Sequence, residues 1–138
     1  MTPPSQGDVW AYSYLWHWQH ERGETEGRKT RPTSLVAAVK DADGRTNLFL
    51  LAITSQRPGE DRTALPIPQI ERARAGLDAS KPLWVILDEY NHDILETSFY
   101  LEPDGRMGAF SASFHAKAFA LFLAQTRAGR VRKVPRTD

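Results

Sequence analysis

The sequence predicts a mainly β fold: a small, partly open β-barrel carrying one C-terminal helix and one short helical segment. Three observations support this reading. Residues 8–18 alternate strictly, with Trp10, Tyr12, Tyr14, Trp16 and Trp18 on one face and Val9, Ala11, Ser13 and Leu15 on the other. That period of two with aromatic enrichment is a strand signal. Short apolar runs then recur, separated by turn-forming Gly, Pro and Asp. Helical spacing appears over any length only near the C-terminus, and a parallel α/β sheet would need helices between most strands.

Taken in order, the first strand runs from residue 8 at least to Leu15. The stretch from His17 to Thr30 holds two glycines and many charges, so it reads as a long loop. A second strand is expected at 33–39 and a third at 46–53, joined through Asp41-Ala42-Asp43-Gly44, whose Asp-Gly step is a hairpin signal. Residues 56–64 are polar and irregular. Pro66-Ile67-Pro68 leads into a short helical turn over Gln69–Ala73, stopped near Gly76. Leu83-Trp84-Val85-Ile86-Leu87 is apolar throughout and reads as a strand buried on both faces. Residues 96–101 and 106–110 flank Pro103-Asp104-Gly105 as a further hairpin. The final helix has Ser113 as its N-cap candidate and Phe114, Ala118, Leu121 and Phe122 at helical spacing. Residues 1–126 form one barrel domain on this reading, and 127–138 a basic, flexible tail.

Composition narrows the function classes. A chain of 138 residues with 41% apolar side chains suits one domain with a modest core. It contains no apolar run long enough to span a membrane, and Met1-Thr2-Pro3-Pro4 has neither the charged nor the apolar region of a secretory signal. With no cysteine there is no disulfide framework or thiol chemistry, and the expected location is cytoplasmic. The net charge of +1 divides unevenly. Residues 127–138 carry five basic groups against one acid, whereas the rest carries thirteen against sixteen. Overall charge is therefore a poor argument for nucleic acid, and a local basic edge is a better one.

Two short patterns supply that edge. Gly27-Arg28-Lys29-Thr30-Arg31-Pro32 opens the second strand, and Ala52-Ile53-Thr54-Ser55-Gln56 closes the third. If these strands are neighbours, Arg31 and Thr54 share one end of the sheet. A guanidinium beside a hydroxyl suits a phosphodiester, since the planar cation binds it bidentately and the hydroxyl orients it. Arg28 and Lys29, with Ser55 and Gln56, are placed to hold RNA phosphates or bases nearby.

The ordered set Gly7-Asp8-Val9, Arg31-Pro32, Ile53-Thr54-Ser55-Gln56 and Val85-Ile86-Leu87-Asp88-Glu89, followed by a terminal helix, is similar to the MazF/PemK family of toxins over about residues 7–126. The resemblance implies an SH3-like barrel that dimerises, cleaves single-stranded RNA without a metal or other cofactor, and is neutralised by a cognate antitoxin protein. It implies catalytic roles for Arg31 and Thr54. The chain departs from the family pattern in its long 17–30 loop and in the cluster Trp16-His17-Trp18.

Competing readings bear on several residues. His17, His20 and Glu21 have chelating spacing, but a third strong ligand is missing, so no metal site is expected. Glu24, Glu26, His17 and His20 are the candidates for a general base. The aromatic ladder reads as a core face plus a dimer contact, with base stacking as its functional alternative. Asn91 and His92 follow a buried strand at a turn, where they could meet substrate. On the same fold, a non-catalytic toxin that inhibits a protein such as DNA gyrase is the rival function, because fold alone does not decide activity.

Overall fold

The sheet is built around one strand that is buried on both faces. The computed structural model describes residues 3–27 and 29–137. Its strands are β1 (Asp8–Tyr12), β2 (Arg31–Lys40), β3 (Thr46–Thr54), β4 (Ala64–Pro66), β5 (Trp84–Ile86), β6 (Glu89–Ile94), β7 (Leu101–Ala109) and β8 (Arg132–Pro135). The helices are α1 (His17–Glu21), α2 (Gln69–Arg74) and α3 (Ala112–Arg127), with a single 3-10 turn at Leu95–Thr97. Hydrogen bonding runs β4-β5-β3-β2-β1-β7, and β6 pairs with both β3 and β8. Neighbours are antiparallel except β6 and β8. The architecture is mainly β, as the sequence predicts, and the sheet does not close on itself.

The alternation in β3 explains its central place. Leu51 and Ile53 join one core cluster with Val9, Val36, Val85, Phe110, Phe114 and Phe122. Leu48, Leu50 and Ala52 join a second with Tyr12, Tyr14, Leu35 and Ile86. Both faces of the strand therefore leave water, so a continuous apolar run is stable there. The helix α3 covers the first cluster. Its N-cap is Ser111, whose hydroxyl accepts from Phe114 N at 3.2 Å, rather than the expected Ser113. Ser111 is held in turn by the buried Glu71 of α2.

Several expectations are corrected. The first strand ends at Tyr12, because Ser13 N bonds to Tyr100 O and the chain turns into α1 within what reads as a loop. Trp16 N is capped by the side chain of Gln19 at 2.9 Å, and this ties off the short helix. Trp10, Tyr12 and Tyr14 are each at most 3% exposed, so these three aromatics of the ladder belong to the core, whereas Trp16 is half-buried and Trp18 is exposed. The segment expected as a hairpin about Pro103-Asp104-Gly105 is one bulged strand, β7, along β1.

The tail expected to be flexible includes β8, which pairs with β6. Val134 is fully buried, and Arg136 lies over the Tyr100 ring at 3.7 Å from its centroid. Arg136 also donates to Ser13 O, to Asn91 Oδ1 at 3.1 Å and to Thr25 O at 3.3 Å. A basic composition hides this because the cation is desolvated against carbonyls and aromatic faces, not solvated.

No helix among the described residues is long and apolar enough to cross a membrane.

Candidate active site

The β2–β3 register sets the geometry of the site. Thr33 lies opposite Ala52, and continuing that antiparallel register by two residues places Arg31 opposite Thr54. Both line one cleft of about 830 Å³, together with Lys29, Ser55 and Gln56. The sequence-predicted residues thus come together, except Arg28, which lies outside the described residues.

Each wall of the cleft has a local cause. Behind Arg31, the segment 13–16 is fixed by Asn91, whose side chain accepts from Leu15 N at 2.8 Å and donates to Leu15 O at 2.7 Å. Gly27 closes this wall: a Cβ there would come within 2.5 Å of Tyr14 O, so only glycine lets the chain pass so near. On the opposite side, Gln56 N donates to Thr54 Oγ1 at 3.1 Å and turns the chain as β3 ends. The loop is anchored further on by Arg62, which grips Asp88 at 2.7 and 3.0 Å and Glu89 at 2.9 Å. Gly76, at a φ of +73°, makes the third wall, where a side chain would collide with the Met107 carbonyl.

The chemistry is cationic. Lys29, Arg31, Arg57, Arg62 and Lys81 line the cleft, and Asp78 is its single carboxylate. Arg62 is already neutralised by Asp88 and Glu89, and these partners push its pKa up. The Asp78 carboxylate accepts from the Ser80 hydroxyl and N–H, which holds its pKa below the usual range and makes it a weak base.

Arg31 is held differently from Arg62. Its guanidinium lies over the Trp16 ring, 5.1 Å from the centroid, and its Nε is sealed from solvent with no hydrogen-bond partner. Burial lowers its pKa, and Tyr14 acts weakly the other way. The Thr54 oxygen, having accepted from Gln56 N, keeps its own proton to donate. A cation lacking a counter-ion beside a hydroxyl donor is a receptor for a tetrahedral oxyanion.

The base candidates do not reach this place. His17, His20, Glu24 and Glu26 are absent from the cleft lining. His17 Nδ1 faces Glu21 at 3.2 Å, and its backbone N donates to Glu89 at 2.9 Å, so α1 docks on the start of β6. Asn91 and His92 are also away from the cleft. Asn91 is fully buried and holds Leu15, while His92 Nε2 pairs with Asn47 Oδ1 at 2.7 Å. Among the described residues, no group of three His, Asp or Glu side chains is placed to hold a metal.

Sequence reasoning missed the contact of Trp16 with Arg31, as well as the contributions of Arg57, Arg62 and Lys81. Only Trp16 left a signal, as a member of the aromatic ladder and of the cluster Trp16-His17-Trp18. Compared with protein-family models and with curated proteins, the chain matches none.

Proposed function

We propose that this chain is an endoribonuclease toxin of the MazF/PemK type, with its curled sheet forming an opened SH3-like barrel. One observation supports the reading most: Arg31, which forms no ion pair with a carboxylate among the described residues, lines the same basic cleft as Thr54. The substrate is single-stranded RNA, whose own 2′-OH is the nucleophile.

In the reaction the 2′-oxygen bonds to phosphorus and the P–O5′ bond breaks, passing through a dianionic phosphorane. Arg31 stabilises the non-bridging oxygens, and its burial makes it a better proton donor to the leaving 5′-oxygen. Thr54 donates its hydroxyl to the phosphate. Lys29, Ser55, Gln56 and Arg57 hold the strand on either side. The 2′-OH proton passes to water or hydroxide, since no cleft side chain is a suitable base. The products are a 2′,3′-cyclic phosphate and a 5′-hydroxyl. Self-association and neutralisation by an antitoxin belong to the same proposal and rest on the family resemblance.

The test is incubation of the purified chain with a long single-stranded RNA in EDTA. Fragments with 5′-hydroxyl ends are expected, and Arg31→Ala should cut them by about 10²–10³-fold, the usual loss for one preorganised donor. Intact RNA with the unmodified chain, or full activity in Arg31→Ala, would overturn the assignment.

A further inference from the structure

Several arginines of this protein are held by acids or by carbonyls, whereas Arg22 lies over the Trp18 ring. Arg62 sits between Asp88 and Glu89, Arg45 meets Asp41 and Asp43, Arg106 pairs with Asp8, and Arg136 bonds to Ser13 O, Thr25 O and Asn91. Among the described residues, no carboxylate forms an ion pair with Arg31. The guanidinium lies over the indole of Trp16, 5.1 Å from its centroid.

We propose that Trp16 is the positioning residue for Arg31: its ring takes the place usually filled by a carboxylate, fixing the guanidinium without neutralising it. This rests on the reading of the cleft as a phosphodiester site. A carboxylate partner would occupy the same fork that must grip phosphate, and the substrate would have to displace it. An aromatic face holds the cation through its quadrupole and leaves the charge for the ligand.

The ring is itself held rigidly. The Trp16 backbone N is capped by Gln19, which is 2% exposed. The indole meets Tyr14 edge to face, with centroids 5.2 Å apart. The Tyr14 hydroxyl donates to Glu89 at 3.1 Å, and Glu89 accepts from Arg62. A continuous series of contacts therefore runs from the part-buried Arg62–Glu89 ion pair to the guanidinium.

Two measurements test the proposal in the full-length chain, with circular dichroism confirming the fold of each variant. In steady-state cleavage, Trp16→Phe should keep kcat within about threefold, because an aromatic face remains. Trp16→Leu should lower kcat by roughly 10- to 100-fold with little change in KM, as expected when a catalytic group is misplaced. The second measurement needs no cleavage: fluorescence anisotropy with a 2′-O-methyl oligonucleotide, which cannot be cut. Trp16→Glu should bind about tenfold more weakly than Trp18→Glu, since both add one charge to the cleft but only the first can pair with Arg31. Unchanged kcat in Trp16→Leu, or equal binding by the two glutamate variants, would overturn the positioning role. If the unmodified chain cuts no RNA, the nuclease reading fails alone, and the anisotropy comparison still decides the part played by Trp16.

Discussion

Arg31 and Thr54 divide the work at the site by charge. In the proposed reaction the guanidinium would address the charge that develops in the phosphorane, whereas Thr54 would offer one neutral hydrogen bond, worth about 0.5–1.5 kcal/mol net. Thr54→Ala should therefore slow cleavage only about 2- to 12-fold, measured as kcat/KM beside Arg31→Ala. The titrating groups of the cleft also predict a pH profile. Tyr14, Lys29, Arg31, Arg57, Arg62, Asp78 and Lys81 line it, with no histidine among them. Ser80 holds Asp78 below the usual carboxylate range, so that group is ionised across the neutral region. Cleavage should rise with pH from about 6 to 8.5, following the hydroxide that deprotonates the 2′-OH, with no inflection near the usual histidine value of about 6.5. An ascending limb that levels off there would assign the base to a histidine. The Arg31 and Thr54 pairing was legible in the sequence because both sit at strand ends and a hairpin fixes the register. The contact between Trp16 and Arg31 was not, since it depends on a turn between residues 13 and 17 that breaks the period of two.

At the scale of elements, the segment from Ser13 to Gly27 is the part whose shape decides the cleft, and distant strands hold it. Asn91 of β6 grips Leu15, and Arg136 after β8 grips Ser13 and Thr25. Arg136→Ala removes a stacked cation and takes one donor from the part-buried Ser13 and Thr25 carbonyls. It should cost about 2–4 kcal/mol, read from urea unfolding, and should weaken RNA cleavage as the wall loosens. Activity and stability both unchanged would show that the wall stands without this anchor. Gly27→Ala should reduce activity through the same wall, because its Cβ would press on the Tyr14 and Ser13 backbone. The elements differ in how far the sequence disclosed them. The strands β2 and β3 carry long apolar runs and a hairpin turn, and the prediction found them within two residues. The strand β6 reads Glu-Tyr-Asn-His-Asp-Ile, with buried polar groups that bond across the core, so its hydropathy conceals it. The strand β8 is four residues, two of them basic and one a proline, paired in parallel to β6. Its burial follows from tertiary contacts that no local pattern records.

For the whole molecule, the exposed large apolar side chains are spread over several elements, Phe99 and Ile70 among them, and α3 carries two neighbouring ones. Phe119 and Leu121 are exposed at 37% and 39%, among the exposed alanines 116, 120 and 124, and Val39 of β2 is half exposed. If the chain self-associates as proposed, this is the face to disrupt. Phe119→Glu should shift the sedimentation coefficient at micromolar concentration toward the monomer, and an unchanged value would move the contact elsewhere. The bond from Arg136 to Ser13 has a kinetic consequence as well. It joins residues 123 apart in sequence, and the cleft wall between them contains none of the long apolar runs that drive early collapse. Closing so long a loop costs entropy that only an assembled β6–β8 pair offsets, so the wall should order after the sheet around β3 has formed. In refolding, the fluorescence of Trp16 and Trp18 would then lag behind the backbone signal, and the protein would pass through a stage in which it has its sheet but not its cleft.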